Sequence, residues 1–161
     1  MESIFHSIEK IFLDASNVNK GLSDIKNLAA ISVIEEDYIK IYNRSGKMKC
    51  KSIIKAKNQC GIYFIINGNK VLYIGQSSYN KTSAKWDLYH RVQQHFRDSD
   101  TGGLRSNLSK RDKKLLNNKT TKLVIMVPKC KEKENRREIL FLESLLIGIY
   151  KPKFNFYEKK V

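Results

Sequence analysis

From residue 59 onward the chain predicts an α/β sandwich of the α+β kind: a small, mostly antiparallel three-stranded sheet flanked by helices, behind a mainly helical N-terminal extension. Three observations carry that prediction. Residues 61–77, GIYFIINGNKVLYIGQS, are two short apolar, β-branched runs joined by Asn67-Gly68-Asn69, a hairpin signal. Residues 120–127, TTKLVIMV, are a third such run, ended by Pro128. Between and after them, residues 83–97 and 132–150 space their apolar side chains as helices do. With a short helix expected at 109–117, the order from residue 59 is β-β-α-(α)-β-α.

Each element has its own justification. The extension, residues 1–58, opens with a helix over 3–14, where Ile4, Ile8, Ile11 and Phe12 share one side. A second helix is expected at about 23–31, capped by Ser23 or its neighbour. Residues 37–51, DYIKIYNRSGKMKCK, alternate like a short hairpin turning at Ser45-Gly46, and KSIIKAKNQ leads into the 59–161 domain. Within the helix over 83–97, Leu88, Val92 and Phe96 form a core stripe. The last helix stops before Pro152, because a residue preceding proline avoids the helical region. Its segment ILFLESLLIGIY, 139–150, is apolar on nearly all sides, which predicts a central, buried helix.

Composition narrows the function classes. In 161 residues, 31 Lys and Arg face 16 Asp and Glu, a formal charge of +15. A balance that basic points to a polyanionic partner, nucleic acid first. The extension holds 10 basic and 7 acidic residues and the remainder 21 and 9, so phosphates are expected to meet mainly residues 59–161. No run reaches the ~18 consecutive apolar residues that a membrane span needs. Residues 1–15 mix Glu2, Glu9, Lys10 and Asp14 among their apolar positions, unlike a secretory leader, and lack the basic face of a membrane-surface helix. Cys50, Cys60 and Cys130 are scattered without zinc spacing, as expected of reduced thiols in a cytoplasmic protein.

Several polar residues do not suit a plain core. Each hairpin arm carries a tyrosine, Tyr63 and Tyr73, whose hydroxyl needs a partner if buried. A two-residue turn alone would put them on opposite faces of the sheet, since strand parity is strict. Only a three-residue loop or an equivalent bulge brings both to one face. Arg91 and His95 stand four apart on one helix edge, where a guanidinium fork and an imidazole suit a phosphate or a solvated surface alike. Glu143 is the single charged residue in the apolar segment 139–150 and needs a cation, either Arg91 or a metal ion. A lone carboxylate with waters and substrate phosphate suits Mg²⁺. Lys151, Lys153 and Asn155 follow in KPKFN, while His6 and His90 read as ordinary side chains.

Taken together, these residues resemble the GIY-YIG nuclease family over about residues 59–156. The resemblance lies in Gly61-Ile62-Tyr63, Tyr73-Ile74-Gly75, Arg91 and His95 in an R-x-x-x-H helix, Glu143 in LESLLIGIY, and Asn155 in KPKFN, in family order. It implies a GIY-YIG-like fold and metal-dependent hydrolysis of a DNA phosphodiester. By that resemblance Tyr63 activates the attacking water with Tyr73 hydrogen-bonding nearby, and Arg91 and His95 hold the scissile phosphate. Glu143 carries Mg²⁺, with Mn²⁺ able to substitute, and Asn155 contacts the substrate or steadies the site.

The expected function is thus a stand-alone, sequence-specific endonuclease of restriction type acting on double-stranded DNA. Homing or phage-type nucleases and DNA-degrading toxins share the mechanism, and a non-cleaving nucleic-acid-binding module is the alternative of another class. Candidate base readers are Arg105, Asn107, Lys110 and Arg111 in the basic stretch 98–122. Recognition of a palindrome would favour a homodimer, with residues 1–58 as a candidate interface.

Overall fold

The computed structural model describes residues 7, 10, 31–37, 51–77, 87–94, 119–128 and 136–155. Four strands form one sheet: β1 (Ile31–Asp37), β2 (Gly61–Asn67), β3 (Lys70–Ser77) and β4 (Thr121–Pro128). Their order is β1-β4-β2-β3, and every neighbouring pair is antiparallel. A single helical turn, α1 (Lys51–Ile54), precedes β2. Helix α2 (Leu88–Gln94) follows β3, and α3 (Arg136–Tyr150) follows β4. The fold is α+β.

The sheet has four strands rather than the three expected. The extra strand is ISVIEED, which pairs with the whole of β4, from Ile31 opposite Pro128 to Asp37 opposite Lys122. Three consecutive acids mask the alternation there, yet Ile34 turns into the core and Glu35 stays exposed, paired with Lys122 across the ladder. Ile31 therefore belongs to a strand, not to the end of a helix. Of the expected 3–14 helix, Ser7 and Lys10 are helical. The remainder of that helix, residues 23–30, the turn at Ser45-Gly46, Phe96 and the 109–117 helix lie outside the described residues.

Strand parity divides the core into two faces. Tyr63, Ile65, Leu123, Ile125, Val127 and Ile34 face Ile53, Ala56, Leu88 and Val92, so α1 and α2 cover one side. Ile62, Phe64, Ile66, Val71, Ile74, Val124 and Met126 face Ile139, Leu142 and Leu146, so α3 covers the other. Each such buried aliphatic or aromatic side chain contributes roughly 1.5–3 kcal/mol of transfer free energy. Helix α3 is not buried all round. Leu140, Phe141 and Ile149 on its outer side are 39%, 46% and 48% exposed. A helix lying on a sheet face buries one stripe, whatever the composition of the rest.

Helix boundaries follow from caps. Helix α2 starts at Leu88, within the expected 83–97 span, because Asp87 caps it: Oδ1 accepts from the His90 backbone N–H at 2.8 Å. Helix α3 ends where Lys151 turns left-handed, with φ 44°, just before Pro152.

Candidate active site

The β2–β3 hairpin meets the geometric condition that its tyrosines impose. Asn67 pairs with Lys70 around a two-residue Gly68-Asn69 turn, and Gly68 supplies the positive φ of 56° that the first turn position requires. That turn alone would leave Tyr63 and Tyr73 on opposite faces. The register then shifts: Ile66 pairs with Val71 but Ile65 pairs with Tyr73, leaving Leu72 as the bulged residue. The shift returns Tyr73 to the face of Tyr63. The two rings lie 5.9 Å apart, centroid to centroid, tilted by 41°.

Gly75 opens the space above itself. It pairs with Tyr63 across the ladder, and the Tyr63 ring lies over its Cα. A methyl group there would stand 2.5 Å from the Tyr63 hydroxyl oxygen and 2.9 Å from Cε1. Without a side chain at 75, the phenol reaches across β3, the outermost strand on that side of the sheet.

The surrounding charges come from both faces. Tyr63 is 1% exposed, and burial is the largest of the causes that push its phenol well above the ordinary tyrosine range. Tyr73 adds to the rise, both as a neighbouring phenol and through a side-chain hydrogen bond, and Glu143 adds a little more. The Arg91 guanidinium pulls the other way. Half-buried Glu143 is likewise held above its ordinary value by burial, again opposed by Arg91. Four side chains from β2, β3, α2 and α3 thus share one electrostatic site: Tyr63, Tyr73, Arg91 and Glu143.

Arg91 owes its position to the start of α2. Asp87 is 2% exposed and has its oxygens occupied by the Asn58 N–H at 2.7 Å, the His90 N–H and His90 Nδ1 at 2.7 Å. The Leu88 N–H donates to the Gln59 carbonyl at 3.0 Å, tying the helix to the segment before β2. One turn on, the Arg91 N–H donates to the Asp87 carbonyl, and the exposed guanidinium touches only Gln94 among the hydrogen bonds of the described residues. His90 is engaged with the cap. An aspartate three residues before a histidine at a helix start was the readable signal for this cap.

Asn155 spends its amide on the edge strand. Its Oδ1 accepts from the Ile74 N–H at 2.8 Å and its Nδ2 donates to the Ile74 carbonyl at 2.6 Å. Next to it, the Phe154 N–H donates to the carbonyl of the bulged Leu72 at 3.0 Å, with the Phe154 ring in the core. The KFN segment therefore covers the open edge of β3 and steadies the strand that carries Tyr73 and Gly75. His95, Arg105, Asn107, Lys110 and Arg111 lie outside the described residues.

No cluster of three or more His, Cys, Asp or Glu side chains able to hold a metal occurs among the described residues. Glu143 does fit a cation that keeps most of its water, since a single desolvated carboxylate is what such an ion uses. An unpartnered buried acceptor, Gln76 Oε1, stands on β3 opposite Ile62, on the sheet face that α3 covers. No protein-family model matches the chain, and no curated protein or solved structure matches it either. The resemblance to GIY-YIG nucleases thus rests on the motif residues and their order in the sequence.

Proposed function

We propose that the chain is a metal-dependent DNA endonuclease that hydrolyses phosphodiester bonds. The observation that carries this reading is the convergence of Tyr63, Tyr73, Arg91 and Glu143 from four separate elements onto one site, through a bulge and a glycine that a plain hairpin does not need. A purely structural fold gains nothing from bringing two phenols, a guanidinium and a carboxylate within electrostatic reach of one another. A phosphodiester offers each of them a task.

Exposed Arg91 is free to fork two oxygens of the scissile phosphate and to stabilise the charge that grows on them. The Tyr63 phenol is protonated as it stands, and becomes a base only when further positive charge joins Arg91 beside it. Tyr73 holds the Tyr63 hydroxyl in position through their hydrogen bond. A Mg²⁺ or Mn²⁺ ion bound by Glu143 would supply Lewis-acid stabilisation of the phosphate and leaving oxygens. The formal +15 suits double-stranded DNA as substrate, and sequence specificity of restriction type is the narrower proposal. Among the described residues no helix is long and apolar enough to cross a membrane.

The test is incubation of the full chain with a large defined DNA, with Mg²⁺ or with EDTA, beside Glu143→Ala. Discrete fragments that need Mg²⁺ and vanish in the variant are expected. A smear would keep the nuclease and remove the sequence specificity. A folded protein that cuts no form of DNA would remove the enzyme and leave a nucleic-acid-binding module.

A further inference from the structure

Two buried side-chain polar atoms among the described residues have no hydrogen-bond partner: Gln76 Oε1 and the Tyr150 hydroxyl. Native folds rarely leave a buried acceptor unmet, and an ion or its water is a usual reason when they do. The two orphans differ in their surroundings. Tyr150 closes α3, seven residues beyond Glu143. Gln76 follows Gly75 on β3, so by strand parity it belongs to the opposite face of the sheet from Tyr63 and Tyr73. On β3 it stands opposite Ile62, whose side chain belongs to the core shared with α3, the helix that carries Glu143.

A divalent ion bound by one carboxylate retains most of its water, and those waters are hydrogen-bond donors in need of acceptors. Glu143 meets only part of that need. We propose that Gln76 is a second anchor for the hydrated cation bound by Glu143, its Oε1 accepting a hydrogen bond from the ion's water shell. This rests on the metal-dependent nuclease reading above. A neutral amide suits the place, because it holds the ion without adding to the negative charge that already opposes ionisation of Tyr63. Gln76 is a positioning residue in this scheme: it touches neither the phosphate nor the reacting oxygen.

The proposal is tested without DNA, by Mn²⁺ binding followed by electron paramagnetic resonance and by the shift in melting temperature that Mg²⁺ produces. The proteins compared are the full chain, Gln76→Leu, Gln76→Glu and Glu143→Ala. Gln76→Leu should weaken Mn²⁺ binding by about tenfold, as loss of an outer-shell partner does. It should melt no lower than the parent without metal, since it deletes an unpaired acceptor. Gln76→Glu should bind Mn²⁺ at least as tightly as the parent, and Glu143→Ala should bind it least. Undiminished Mn²⁺ binding by Gln76→Leu, or weakened binding by Gln76→Glu, would overturn the proposal while leaving the nuclease reading intact. A lower melting temperature of Gln76→Leu without metal would overturn it too, by showing that Gln76 is satisfied within the fold. Equal binding by the parent and Glu143→Ala would instead remove the metal role of Glu143, and this proposal with it.

Discussion

Gly75→Ala puts the hairpin geometry to the hardest test. The added methyl would stand 2.5 Å from the Tyr63 hydroxyl oxygen, where ordinary contact begins at 3.4 Å, so the phenol must retreat by roughly an ångström. It has little room to do so. Tyr63 is 1% exposed, and its backbone is fixed by Gly75 on one side and Ile125 on the other. Overpacking of this kind costs about 1–3 kcal/mol. In a chain of this size each kcal/mol lowers the melting temperature by about 2–4 °C. If Tyr63 takes part in phosphodiester hydrolysis, displacement by an ångström lowers the single-turnover rate by about 100-fold. The assay pairs thermal melting with single-turnover cleavage, for Gly75→Ala, Tyr63→Phe and the double variant. Tyr63→Phe should lose the rate without the melting temperature, and Gly75→Ala should slow the double variant little further. A Gly75→Ala protein with parental melting temperature would refute the packing argument. Parental cleavage by the same protein would refute the role given to Tyr63.

Four further outcomes follow from the same contacts. Burial raises Glu143, so the neutral carboxyl is the form the fold favours; its stabilising effect is present at low pH and lost as pH rises through the raised value. Metal-free Glu143→Gln should therefore melt higher than the parent near neutral pH, with the gap closing on acidification, while cleavage by the parent with Mg²⁺ falls only at a lower pH, because a bound cation lowers the carboxyl. Asn155→Ala strips both partners from the Ile74 backbone and should cost about 1–3 kcal/mol, with faster amide exchange at Ile74. Asp87→Ala removes the α2 cap and should cost about 0.5–2 kcal/mol, read by denaturant unfolding. A chain truncated to residues 59–161 loses β1 and uncovers the β4 edge, so it should aggregate or lose cooperative unfolding; a monomeric, cooperatively folding fragment would contradict the place of β1 in the sheet.

The hairpin, β4 and the α3 terminus were legible because local signals suffice for them: β-branched runs, Asn-Gly, and a proline two residues past the last turn. The bulge at Leu72 was legible only as a condition, since parity says that one must exist if both tyrosines act together but not where it falls. Strand β1 was not legible. Its partner is β4, 89 positions on where Glu35 pairs with Val124, and no local pattern in ISVIEED announces a pairing over that distance. The candidate site was named from motif residues, but Gly75 as the opening for Tyr63 and Asp87 as the support of Arg91 emerge only from contacts between elements.

The site's protonation follows from where its residues lie. Burial drives both Tyr63 and Glu143 toward their neutral forms, and Arg91 alone opposes it. Without substrate or ion the cluster thus holds one guanidinium beside a protonated phenol and a carboxyl that burial biases toward its neutral form, an arrangement that attracts phosphate and holds no strong base. Each added positive charge lowers both acids together, because the same desolvation that resists ionisation also strengthens the attraction once a cation is present. On the nuclease reading, a base that forms only once a cation has arrived cannot act on bulk water beforehand. The bulge at Leu72, the bare Cα at Gly75 and the Asn155 clip on Ile74 serve that arrangement, by keeping one phenol buried beside one guanidinium at the sheet's edge.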